Sequence, residues 1–261
     1  MEKRKYALGI LILAFVCLCA GAAMLFSDFQ NKNREKQKYE SLSEIVRQST
    51  EEERESESEA GTSESISETE ASYVSPIQFD KLRAINPDIV GWIRIDGTEI
   101  DYPIVQTDNN ETYLKTDFEG EKNASGAIYL DFESEPDFSG RHNIIYGHHM
   151  KNGTMFKDIV KYKDETFYKE HQKITVYTPE REYDLRPVTV LYTDASGERR
   201  RTRFDKEEDF KAYAEKMTEN GLFYQKPEGS MDRIWSFVTC SYEFPDARTI
   251  LYACEVPQVE K

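Results

Sequence analysis

From Ser75 onward the apolar positions fall into short runs bounded by Gly, Pro, Asn and Asp. "FDKLRAI" reads as a short helix that "NPD" interrupts. "GWIRI" alternates, with Trp92, Arg94 and Asp96 set against Ile93 and Ile95, and this period of two predicts a strand. An Asp-Gly turn leads into a second strand, "IDYPIVQ". "NNETYLKTD" fits one or two helical turns, whereas "GAIYLDF", "HNIIYGHH", "KITVYTP" and "EYDLRPVTVLYTD" predict further strands. "TMFKDIVKYKDETFYKEH" carries Met155, Phe156, Ile159 and Val160 at helical spacing. "DKEEDFKAYAEKMTENG" sets Phe210, Tyr213, Ala214 and Met217 on one helix face, with a Gly stop. "RIWSFVTCSYEFPDARTILYACEV" closes the pattern as two apolar strands joined by a polar turn. Seven or eight strands and few helices predict a mainly β fold, a β-barrel with a helix inserted before the penultimate strand.

The text before Ser75 differs. Residues 1–5, "MEKRK", precede an uncharged apolar run over residues 6–26, which at about 1.5 Å per residue spans roughly a 30 Å hydrocarbon core. The run is longer than the h-region of a signal peptide, although "AGA" at 20–22 resembles a cleavage site, and an uncleaved anchor is the preferred reading. Lys3, Arg4 and Lys5 abut the run more closely than Lys32, Arg34, Lys36 and Lys38, which favours a cytoplasmic N-terminus and an extracellular domain. Residues 27–74 read as a polar linker. Its first half holds Tyr39, Leu42, Ile45 and Val46 in a short exposed helix, and its second half is Ser/Glu low-complexity sequence that cannot bury enough apolar surface to order itself. Residues 75–261 are the folded domain.

Charge sharpens this division. The net charge is −15, and residues 50–72, with nine Glu and one Arg, account for −8 of it. An acidic chain lacks the basic footprint that nucleic acid requires. The run "GERRRTR", 197–203, is the local exception and reads as a solvated loop.

Candidate chemistry is sparse. Cys17 and Cys19 lie in the apolar run, so the domain holds only Cys240 and Cys254. An extracellular location would permit these two to pair, but a reactive Cys240 must be free. A thiol needs a neighbouring base or cation to become an effective nucleophile. Arg248 follows Cys240 across the hairpin turn, and "NIIYGHHM" offers His148 and His149 from a distant segment. Taken singly, each has an ordinary reading: a small buried thiol, a solvated guanidinium, a pair of imidazoles with no special role. His142 and His171 read as surface residues and Cys254 as core.

Taken together they go further. The blocks "NPDIVGWIRIDGTEIDYPIVQTDNNETYLKTDFEGEKNASGAIYLDF", "HNIIYGHHMKNGTMFKDI" and "VTCSYEFPDAR" resemble the class B sortases from about Phe79 to Val256. The resemblance implies an eight-stranded sortase-type barrel with an N-terminal helix, and the 205–220 helix falls where class B members carry one. One departure is Phe237-Val238 before Thr239-Cys240. The implied activity is cleavage of an "NPxTx"-like or "PxTG"-like sorting signal after Thr, through a thioester, with transfer to a peptidoglycan cross-bridge amine. Cys240 would be the nucleophile, His148 the general acid/base and Arg248 the oxyanion or substrate stabiliser, with no metal or cofactor. The family motif places its His directly after Gly. Strand alternation agrees, since it sets His148 with Ile144 and Tyr146 and turns His149 away. Thr239 and His149 are secondary candidates for substrate contact, and selectivity is expected to reside in 183–229. A hydrolytic Cys-His peptidase would use the same residues, and product analysis with an added amine separates the two. A non-catalytic binding module would be expected to lack one of the three groups.

Overall fold

The computed structural model describes residues 73–257 apart from 195–196, 229–230, 242 and 244, together with scattered positions between 15 and 43. The tail 1–5, most of the apolar run and the Ser/Glu-rich stretch lie outside the described residues. Among the described residues no helix is long and apolar enough to cross a membrane. Residues 37–39 and 41–43 are helical, but Tyr39 and Leu42 are buried, which departs from the exposed helix expected there.

Eight strands close into one barrel: β1 Ile89–Ile95, β2 Asp101–Val105, β3 Ile128–Leu130, β4 His142–Tyr146, β5 Ile174–Tyr177, β6 Glu182–Thr193, β7 Ile234–Cys240 and β8 Arg248–Glu255. Their order around the barrel is β1-β2-β3-β4-β7-β8-β6-β5, and β5 returns to β1. β2/β3 and β4/β7 are parallel, and every other pair is antiparallel. Helix α1, Phe79–Ile85, stops at an extended Asn86, because Pro87 disfavours helical geometry in the residue before it. β1 turns into β2 through Gly97 at φ +79°, as the Asp-Gly pair predicted.

The helical stretch expected over 154–171 is two elements. A 3-10 helix runs Phe156–Lys163, and α2 runs Glu165–Glu170. Asp164 separates them because its carboxylate caps α2, accepting from the Phe167 amide at 2.9 Å, and a capping residue adopts extended geometry. Helix α3, Glu207–Thr218, is the insertion before β7. Its predicted face is buried, and Phe210, Tyr213, Ala214 and Met217 pack with Ile144, Leu191, Ile234, Val238, Ile250 and Tyr252. Trp92, Trp235, Phe138, Phe156 and Phe237 are among the largest fully buried side chains.

Three sequence expectations are corrected. His142 is wholly buried rather than on the surface, because it opens the buried strand β4. His171 is half-buried and stacks on Phe167 with ring centroids 3.7 Å apart. The "GERRRTR" run is not simply solvated. Arg199 donates to the Met217 carbonyl and the Tyr252 hydroxyl, and Arg200 pairs with the buried Asp131 carboxylate.

Candidate active site

Two strand registers bring the candidate residues together. β4 and β7 run parallel with Tyr146 opposite Val238, and the Gly147 amide donates to the Val238 carbonyl at 3.1 Å. Two residues beyond that pair, His148 and Cys240 reach the same end of the barrel. β7 and β8 are antiparallel with Cys240 directly opposite Arg248. Opposed residues carry their side chains on one face with Cβ atoms about 5 Å apart. The eight-residue spacing between thiol and guanidinium is therefore the length of a hairpin that makes them a cross-strand pair.

All three side chains line one open groove of about 290 Å³. Val238 and Thr239 lie beside them, Gly147 and Tyr146 lead into His148, and Asn110, Leu114, Tyr129 and Arg200 complete the wall. Cys240 and Cys254 are both free thiols. Cys254 is buried near the far end of the hairpin, and burial pushes its thiol up to about 11.

His148 and His149 lie past the end of β4, so alternation within a strand does not apply to them. Their contacts nevertheless diverge. His148 Nε2 is 2.8 Å from the Leu114 carbonyl. A carbonyl only accepts, so Nε2 carries the proton, and Nδ1 is the nitrogen left to exchange one in the neutral ring. Two glycines make room for this arrangement. A Cβ on Gly147 would lie 2.5 Å from Ile128 Cδ1 and 2.7 Å from the Phe156 ring, and one on Gly126, at φ +58°, would lie 2.4 Å from the Tyr113 carbonyl oxygen and 3.1 Å from His148. The Gly before His148 is thus a steric requirement. His149 donates from Nδ1 to the Cys240 carbonyl at 3.0 Å, and its Nε2 accepts from Lys157 at 2.6 Å. It grips the backbone behind the thiol and is absent from the groove lining.

Arg248 is steadied from one side, with Nη1 donating to the Asp246 and Ala247 carbonyls at 3.2 and 3.1 Å. Thr239 is almost fully buried, and among the described residues its hydroxyl has no hydrogen-bond partner. Opposite stands a wall organised by Asp131. This buried carboxylate accepts from Tyr146 Oη at 3.0 Å, Asn110 Nδ2 at 2.9 Å and Arg200 Nε at 3.0 Å, so three groove-lining residues share one anchor. Burial and then Asp131 push the Tyr146 hydroxyl pKa up, which keeps it a donor. Hydrogen bonding to Asp131 raises Arg200. Sequence reading missed Asp131 and Arg200. The available signal was a carboxylate directly after the apolar "IYL" and a basic run within the stretch expected to set selectivity.

The comparisons agree with this architecture. The sortase domain family matches residues 93–256. A sortase B of Staphylococcus aureus is 32% identical over 169 residues, 64% of this chain and 69% of its own. A sortase B of Listeria monocytogenes is 34% identical over 163 residues, 62% of this chain and 66% of its own. The Staphylococcus aureus sortase B–substrate complex superposes with a TM-score of 0.72 at 27% identity, covering 88% of this chain and 100% of that one. A sortase B complexed with triglycine superposes with a TM-score of 0.72 at 27% identity, covering 86% and 99%. With a family match across more than half its length and a relative above 30% identity covered over two thirds, the chain belongs to the sortase family as a class B member, a cysteine transpeptidase of the kind that anchors surface proteins.

Proposed function

We propose that this sortase cleaves a C-terminal sorting signal of the NPxTx-like or PxTG-like type after its Thr and joins the new carbonyl to a peptidoglycan cross-bridge amine. The observation that carries the reading is the meeting of Cys240, His148 and Arg248 in one groove through the β4/β7 and β7/β8 registers. Cys240 gives its thiol proton to His148 Nδ1, and its Sγ attacks the Thr carbonyl carbon, the C=O π electrons moving to oxygen to give a tetrahedral oxyanion. Arg248, already tethered by two carbonyls, directs its remaining N–H groups toward that charge or the substrate backbone. His148 gives a proton from Nδ1 to the departing amine as the C–N bond breaks, leaving a thioester. The acceptor amine then attacks the thioester, loses a proton to His148 and releases the Cys240 thiolate. Thr239 is a further candidate for contact with the signal through its backbone, its hydroxyl being buried.

An amine as acceptor is supported by the relative solved with triglycine, and a peptide signal by the relative solved with substrate. The same reading sets residues 6–26 in the membrane, 1–5 in the cytoplasm and 27–74 as a spacer, supported by the uncharged run and its basic flank. The test is mass spectrometry of the protein with "NPxTx", "LPxTG" and "PPxTG" peptides, with and without triglycine or a diamino-acid peptide. Cleavage after Thr with the amine joined to the new end, lost in Cys240→Ala, is expected. Hydrolysis alone in ample amine would favour the peptidase reading.

A further inference from the structure

His149 stands in the sequence motif that supplies His148, yet the reaction above does not use it. Its two nitrogens meet groups of opposite hydrogen-bonding character. The Cys240 carbonyl, 3.0 Å from Nδ1, only accepts, and the Lys157 ammonium, 2.6 Å from Nε2, only donates. The ring is therefore neutral and held in one tautomer. Protonation would aim an N–H at an ammonium. Burial, and then the charge of Lys157, lower its pKa, and Lys163 lowers it further while the Cys240 carbonyl and Glu243 oppose them.

The contact also fills a gap in the sheet. Val238 directs its carbonyl to the Gly147 amide on the β4 side. Two residues on, the Cys240 carbonyl points the same way, but β4 has ended at Tyr146. The His149 imidazole supplies the donor that the strand no longer provides. Lys157 belongs to the 3-10 helix Phe156–Lys163, whose last residue, Lys163, pairs with Glu243 in the loop after Cys240. One helix thus holds the nucleophile's strand end at two points.

We propose that His149, locked by Lys157, is a positioning residue that fixes the Cys240 backbone so that its thiol faces the groove and Arg248. The proposal rests on Cys240 being the nucleophile. It is tested with full-length protein carrying His149→Ala, His149→Asn or Lys157→Met, read by peptide turnover and by the pH dependence of Cys240 alkylation with iodoacetamide, which needs no substrate. Asn is chosen because its amide nitrogen can take the place of Nδ1. His149→Ala is expected to lower kcat by about tenfold to a hundredfold, with KM within about twofold, as misplacement of a reacting group does. His149→Asn should recover most of that loss. In Lys157→Met the ring loses the ammonium that opposes its protonation, and the alkylation profile should gain an imidazole step, still below the ordinary range because burial and Lys163 remain, that Lys157→Met/His149→Asn lacks. Unchanged kcat in His149→Ala, an Asn variant as impaired as the Ala variant, or no new step in Lys157→Met would each overturn it. Turnover retained in Cys240→Ala would overturn the nucleophile reading itself, whatever His149 does.

Discussion

Replacing His142 with Asn should flatten the acid limb of this protein's stability. His142 is fully buried, Nδ1 donates to the Arg201 carbonyl at 2.9 Å, and Nε2 is left to accept from the Ser236 hydroxyl at 2.5 Å. The neutral ring satisfies both partners, and a protonated one would carry a charge cut off from solvent. Burial accordingly drives its pKa from 6.5 to about 4, against a smaller upward pull from the Arg201 carbonyl and Asp131. Below pH 6.5 the unfolded chain takes up a proton that the folded chain refuses, so stability falls with pH, and the fall ends near pH 4 where the folded state protonates as well. At about 1.4 kcal/mol per pH unit, the loss is about 2 kcal/mol between pH 8 and 5 and about 3 kcal/mol by pH 4. Urea unfolding of wild type and His142→Asn at pH 8, 7, 6 and 5 measures it. The variant should start less stable, having lost packing and a hydrogen bond. The gap between the two proteins should then narrow by about 2 kcal/mol at pH 5. Subtraction removes every other titrating group, including His149. A gap that stays constant from pH 8 to 5 would refute the reasoning, since it would mean that the buried ring meets no charging penalty.

Other perturbations test the groove directly. Cys240→Ala should abolish the thioester seen by mass spectrometry and leave the thermal transition in place. Arg248→Ala should cost on the order of 10²-fold in kcat/KM if the guanidinium meets the oxyanion, and near-normal turnover would remove it from the mechanism. Asp131→Ala should destabilise the protein by about 2–3 kcal/mol in urea unfolding, less than a wholly buried pair would lose because Arg200 is partly exposed, and should raise KM as Asn110, Tyr146 and Arg200 lose their common anchor. Gly147→Ala should cost about 1–3 kcal/mol by overpacking against Ile128 and Phe156, and should lower turnover by displacing His148.

The barrel was largely legible in the sequence because its strands are short apolar runs set off by turn residues, and period and punctuation are local signals. The insertion helix was legible for the same reason, and Phe210, Tyr213, Ala214 and Met217 face inward as their spacing predicted. His142 was misread because burial depends on which strands flank β4, and nothing within five residues of it records that β7 lies alongside. The basic run was misread because charge was taken to mean exposure. Arg200 in fact finds a buried carboxylate 69 residues away, a pairing that only the fold creates. The helix over 154–171 was misread at one residue, Asp164, whose side chain favours a cap over continuation.

The same distinction explains why Cys240 and Arg248 could be paired from the sequence while the groups that support them could not. Cys240 and Arg248 share a hairpin, so chain proximity already makes them neighbours, and register needs only to set them opposite. His148 requires a parallel pairing between strands nearly ninety residues apart in sequence, which a hairpin cannot make. Parallel pairing has one useful consequence here. Because β4 and β7 run in the same direction, both end at the same rim of the barrel, and the residues just past each end are free of the ladder's geometry. His148 leaves β4 toward the groove, and His149 turns back to take the carbonyl that β7 no longer pairs. A one-residue slip of this pair would put His149 level with Cys240 and deprive the Cys240 carbonyl of its donor. The steric demand at Gly147 and the Gly147–Val238 hydrogen bond both oppose that slip, so the glycine of the motif sets the register as well as admitting the histidine.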